Sequence, residues 1–114
     1  MTNNKASDEI GRLAFDGVAT VRTIEGLHSK LLDMMQQHAV IEIDCAGVSE
    51  VDLSFIQLLL SARKSARENG KSFALAHPAS GALHDALTSA GFMVVVEGIR
   101  NEDMAFWRKG TIVK

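Results

Sequence analysis

Asp44, Cys45, Asp52 and Ser54 are the side chains of this 114-residue chain whose types and spacing offer chemistry. Asp44 and Asp52 follow apolar runs, and α/β sheets place ligands at strand ends, so the pair defines one reading: a nucleotide-binding protein or an enzyme. The partners a reaction centre needs are not in register with them. His28, His38, His77 and His84 never fall in a metal-binding pattern with a second ligand at helical i, i+4 spacing, which leaves them exposed or locally bonded. No glycine-rich phosphate loop occurs, since Gly11 and Gly17 flank a strand and the other glycines read as turns and caps. There is no G-x-S-x-G elbow, and no motif places a His or Lys base beside Ser54. Cys45 ends an apolar strand and reads as a small buried hydrophobe, not a nucleophile. The residues therefore point to a protein that is not an enzyme and takes no metal and no cofactor.

The segment Val51-Asp52-Leu53-Ser54-Phe55-Ile56-Gln57-Leu58-Leu59-Leu60 opens a helix with two competing start signals. Asp52 can accept backbone N–H groups at the first turn, while Ser54 with Gln57 three residues on has the capping-box spacing. Only one of the two can be the cap. On a helical wheel Phe55, Ile56, Leu59, Ala62 and Ala66 share a core-facing side, and Ser54, Gln57, Ser61, Lys64 and Glu68 form the polar stripe. Leu53 and Leu58 lie at the edges of that stripe, and the wheel alone reads them as peripheral core. Near the C-terminus, Phe106 and Trp107 stand beside Arg108 and Lys109, a pattern shared with membrane and nucleic-acid anchors. A short helix needs such aromatics to dock at all, so packing back onto the sheet is the expectation.

Around these residues the chain alternates short apolar runs with helical periods. Ile10–Phe15 and Val18–Arg22 flank Asp16-Gly17, the dipeptide favoured in two-residue hairpin turns, which predicts an antiparallel pair at the start. Thr23 is placed to cap a helix to about Gln37, with Glu25 near its positive end. Val40–Asp44 reads as a strand ended by Ala46-Gly47, followed by the helix Leu53–Glu68, which Asn69-Gly70 closes with a left-handed C-cap. Phe73–Ala76 reads as the next strand, and Ser80 as the cap of a helix to about Ala90 that Gly91 stops, with Phe92 folding back on its last turn. Met93–Val96 and a short helix capped by Asn101 complete the series. Helices alternating with strands imply βαβ crossovers and a largely parallel sheet, carrying the hairpin at one side. Residues 1–8 are expected to form a flexible polar tail and residues 9–114 one domain, consistent with 46% hydrophobic residues in a chain this size.

Twelve basic against fourteen acidic residues give a net charge of -2, which carries no footprint for nucleic acid or an anionic membrane. No run of about 18 apolar residues spans a bilayer, and Met1–Lys5 lacks a signal-peptide core. With a single cysteine there is no intrachain disulfide, so a reducing, cytoplasmic setting is expected.

The element order and several residues resemble the STAS domain, the module of sulfate transporters and bacterial anti-sigma factor antagonists. The resemblance spans about residues 9–100 and rests on Ile41-Glu42-Ile43-Asp44, the loop into Val51-Asp52-x-Ser54, the helix after it, Asn69-Gly70, Phe73–Ala76 and Leu87-x-x-Ala90-Gly91-Phe92. It implies an α/β, STAS-like fold. In the antagonist branch the helix opens with a D-S/T-x-G-like tetrad, and a partner kinase that is also the anti-sigma factor phosphorylates the hydroxyl after the aspartate. Here Leu53 holds that position and Phe55 replaces the small residue, so Ser54 alone could take a phosphate. A phosphate there would meet free N–H groups and the positive helix end, and its charge of about -2 would repel an apolar or acidic partner. Ser54 reads first, however, as a polar first-turn residue or a cap.

The departure also adds apolar area where the family docks its partner. At ~25 cal/mol per Å², a buried leucine contributes roughly 2 kcal/mol to binding. The resemblance thereby shifts Leu53 and Leu58 from peripheral core to interface, giving a partner-binding set of Val51, Asp52, Leu53, Ser54, Gln57 and Leu58 on the 48–58 loop and helix start. The implied function is a cytoplasmic signalling adaptor whose partner is an anti-sigma factor or kinase, a phosphatase, or a component of bacterial chemotaxis or two-component signalling. The resemblance also admits a small STAS subunit of a lipid-trafficking ABC transporter, in which the same helix start contacts the ATPase.

Overall fold

Four apolar runs become three parallel strands in the structure, a computed structural model that describes residues 7–91 and 106–107. The elements run β1 (Ser7–Ala19), α1 (Ile24–Gln37), β2 (His38–Val51), α2 (Leu53–Glu68), β3 (Ser72–Leu75) and α3 (Gly81–Ser89), and the sheet order is β1-β2-β3. Direct partners in a parallel pair share a face, so the register Gly11–Ile41–Phe73 and Leu13–Ile43–Leu75 defines one side of the sheet. Ile41, Ile43, Phe73 and Leu75 are buried there in one cluster with Leu27 and Leu31 of α1, Phe55, Ile56 and Leu59 of α2, and Leu83 and Leu87 of α3. Phe15 and Phe55 meet edge to face across this core, with ring centroids 5.7 Å apart. The alternate row, Arg12–Glu42–Ala74, lies on the opposite face.

The expected N-terminal hairpin is not formed. Asp16-Gly17 sits within β1, which runs on to Ala19 and pairs parallel with β2 throughout. Gly17 does take a positive φ of 75°, but the chain uses it to shift register without reversing. Between Ala14–Asp44 and Asp16–Gly47, and again between Gly17–Val48 and Val18–Glu50, β2 advances one residue more than β1. The two turn-prone pairs, Asp16-Gly17 and Ala46-Gly47, lie opposite each other. The ladder absorbs both as bulges because Val18 and Ala19 find their partners in Glu50 and Val51. For the same reason β2 does not end at Ala46-Gly47 but continues to Val51.

The helices follow the sequence more closely. α2 has the expected limits, and its end is a Schellman closure: Gly70, at φ 72°, donates to the Arg67 carbonyl at 3.1 Å and Lys71 donates to that of Ala66 at 2.8 Å. Thr23 and Ser80 stand at the cap positions of α1 and α3 but make no side-chain cap bond. Thr23 Oγ1 instead donates to the Val18 carbonyl at 3.0 Å, holding the β1–α1 turn closed. Phe106 and Trp107 are buried as expected: Phe106 stacks on Phe73 at 5.9 Å, and the Trp107 carbonyl accepts from the Ala79 amide at 2.7 Å. The strand expected at Met93–Val96, the Asn101 cap, Phe92, Arg108 and Lys109 lie outside the described residues.

Candidate functional site

Asp52 resolves the competition at the start of α2. It sits in extended conformation between β2 and α2, and its Oδ1 accepts the Ser54 amide at 3.0 Å, so the aspartate is the cap and Ser54 lies inside the first turn. Its second oxygen is used too. Oδ2 accepts the Val21 amide at 2.9 Å, and the Asp52 amide donates to the Ala19 carbonyl at 3.4 Å. One side chain thus joins the β1–α1 turn to the helix tip. The Val21 N–H, foremost, with further bonds from Phe55 and Ser54, holds the carboxyl below the ordinary aspartate range against a smaller opposing desolvation. It is therefore ionised at neutral pH.

That clamp brings two exposed apolar side chains to one end of the molecule. Val21 is 65% exposed and Leu53 50%, whereas Phe55, Ile56 and Leu59 on the same helix are fully buried. Leu58 is half-buried and packs against the core from its margin. Because successive helical residues are offset by about 100°, the six residues expected to bind a partner are divided between two grooves. Val51, Asp52 and Leu53 line a groove of about 560 Å³ between α2 and α3, with Glu50, Asp85 and Ala86. Ser54, Gln57 and Leu58 line a smaller one of about 300 Å³ between α2 and α1, with Ile24, Glu25 and His28. Val21, Ile24, His28, Asp85 and Ala86 belong to this surface and have no signal near the 48–58 segment, since only the fold places them there.

Asp44 and Asp52 do not converge. Asp44 lines an open hollow on the other face of the sheet with Arg12, Glu42, Ala76 and His77. There Arg12 Nε donates to Glu42 Oε1 at 2.9 Å; the Glu42 side chain is 7% exposed beneath the exposed arginine. Cys45 is half-buried in β2, and burial, helped by the charge of Asp44, pushes its thiol up to about 12. Burial thus keeps the thiol in its protonated, less nucleophilic form at neutral pH. Among the described residues no group of three or more His, Cys, Asp or Glu side chains could hold a metal ion, and no helix is long and apolar enough to cross a membrane.

What these elements build is matched by known proteins at the level of family and fold. The family model described as Mlab, STAS domain matches residues 3–97. A crystal structure of a sulfate transporter family protein from Wolinella succinogenes superposes with a TM-score of 0.55 at 19% sequence identity, covering 79% of this chain and 73% of that one. At that identity the likeness is one of fold. No curated protein matches the chain. With a parallel βαβ sheet, an aspartate-capped helix after the second strand, and a family match over most of its length, the chain belongs to the STAS domain family.

Proposed function

We propose that the chain is a non-enzymatic, cytoplasmic protein-docking module that binds a regulatory protein through the 48–58 loop and the tip of α2. The observation that carries this reading is Leu53. It is half exposed directly after the capping Asp52, at the position where the antagonist branch carries its phosphoacceptor hydroxyl. A leucine at an exposed tip adds little to the core but about 2 kcal/mol to an interface that covers it. Asp44 and Asp52 lie in separate hollows and Cys45 is held protonated, which supports docking over catalysis.

Capture from extracts of the source cells tests the reading, comparing the unaltered chain with Leu53→Asp. Leu58→Asp is the less informative change because Leu58 packs against the core. The expected result is loss of one specific protein with an unchanged circular dichroism spectrum. An identical set of captured proteins would count against the site.

The same residue favours a second reading. With no hydroxyl at position 53 there is no acceptor for a switch in the family's usual place, which suits a standing complex, as in a small STAS subunit of a lipid-trafficking ABC transporter. The identity of the captured protein separates the two: an ATPase supports the transporter subunit, and an anti-sigma factor, kinase, phosphatase or chemotaxis component supports the adaptor. Phosphorylation of Ser54 would act on either, by placing charge in the α1–α2 groove.

A further inference from the structure

The two grooves beside the tip of α2 differ in charge. The α2–α3 groove carries three carboxylates, Glu50, Asp52 and Asp85, and among the described residues no lysine or arginine lines it. Asp52 is committed to the Val21 and Ser54 amides but keeps its charge. Glu50 meets Arg22 at 3.7 Å with both side chains more than half exposed, a loose pair that a better-placed cation displaces. The Asp85 side chain is 86% exposed and its neighbour is His84, at 3.9 Å. Between these acids Val51, Leu53 and the margin of the buried Ile56 form one wall, and Ser49 and Ser89 also line the groove. The other wall is α3 with its C-cap residue, where Ala82, Ala86 and Ala90 recur every fourth residue. Small side chains at that spacing let another helix approach closely, with its own apolar residues over Leu53.

We propose that this groove receives a basic amphipathic helix of the partner protein, its apolar face on Leu53 and Ala86 and its arginines or lysines on Glu50 and Asp85. The proposal rests on the docking reading above and names the partner's chemistry. An anionic membrane or a nucleic acid would meet the same three carboxylates as repulsion, so the charge selects a protein helix. The opposite signs also steer encounter, which makes association sensitive to salt.

The test uses two labelled synthetic peptides with one leucine-rich apolar face, flanked by arginine in the first and by glutamate in the second. Fluorescence anisotropy with the full chain reads affinity, and amide NMR shifts map the site. The arginine peptide is expected to bind at least about tenfold more tightly, to weaken by about tenfold as salt rises, and to shift amides around Glu50, Leu53, Asp85 and Ala86. Glu50→Lys with Asp85→Lys, both at exposed side chains, is expected to reverse the preference toward the glutamate peptide. Equal affinity for the two peptides, shifts confined to the α1–α2 groove, or no binding of either peptide would overturn the proposal. If both peptides bind equally and Leu53→Asp abolishes binding while the lysine substitutions do not, the charge assignment fails and the docking reading stands. If Leu53→Asp leaves peptide binding and cell-extract capture alike untouched, the docking reading fails with it.

Discussion

Asp52 is the residue on which the local order of the site depends, because it closes two backbone segments with one carboxylate. Asp52→Ala leaves the Val21 and Ser54 amides without their acceptor, and caps of this kind contribute about 1 kcal/mol. A lowered urea midpoint with an unchanged slope checks this. Asp52→Asn keeps one of the two acceptor oxygens and turns an NH2 donor toward the other amide, so it restores only one of the two bonds. The pH dependence follows in sign from the carboxyl's depressed pKa. A group whose pKa is lowered by folding adds stability above its unfolded value, and loses it as pH falls through the folded value. The gap between the unaltered chain and Asp52→Ala is therefore expected to be flat near neutrality and to close below about pH 4; a gap that widens in acid would contradict the assignment. Cys45 gives a second check at this scale. With its thiol pushed up to about 12, it should alkylate with iodoacetamide at pH 7 far more slowly in the folded chain than in urea.

Among the elements, the long β1–β2 pair has the conformation least evident from its residues. Gly17 has a positive φ and open space around the position a Cβ would take, so Gly17→Ala costs conformation alone, about 1 kcal/mol. Reduced thermal stability without loss of the sheet signal checks it. A hairpin at Asp16-Gly17 would have made the same substitution disrupt strand pairing. The sequence signal there was a turn dipeptide between apolar runs, and it identified a position of special backbone geometry correctly. What it could not carry was the direction of the chain after it, because that depends on Glu50 and Val51, more than thirty residues away. α2 is the contrasting case. Its cap, its buried face and its Schellman end involve residues no more than five apart, so hydrogen bonding and periodicity within the helix were enough. Even there, Val21 as the second donor to Asp52 lay beyond any local pattern.

At the scale of the whole molecule, Phe106 fastens a distant part of the chain onto β3 and α2, and Trp107 ties it to Ala79 through its carbonyl. The Phe106 ring stacks on Phe73 and lies 5.3 Å from the guanidinium of the buried Arg63, an arrangement that joins area burial to a cation–π contact. Phe106→Ala is expected to destabilise the fold by about 3 kcal/mol, the cost of an emptied aromatic site. Retention of Leu53-dependent partner capture at low temperature would separate this stabilising role from docking. The aromatic pair beside Arg108 and Lys109 shares its pattern with an anchor, but packing onto the sheet is the expectation, and burial against Phe73 assigns Phe106 to the core.

The residues alone determined the alternation of helices and strands, the limits of α2 and its core face, because a helix is specified by bonds and side-chain spacing within a turn or two. They also placed Leu53 where a family hydroxyl would stand. Only the tertiary structure decided that β1 runs on in parallel, that Asp44 and Asp52 lie in separate hollows, and that the residues proposed for docking divide between an acidic groove and a second one facing α1. Each of these joins residues from different elements. A strand's period of two gives its faces but not the direction of its partner, and a helix's period gives its buried side but not which neighbours flank its exposed tip.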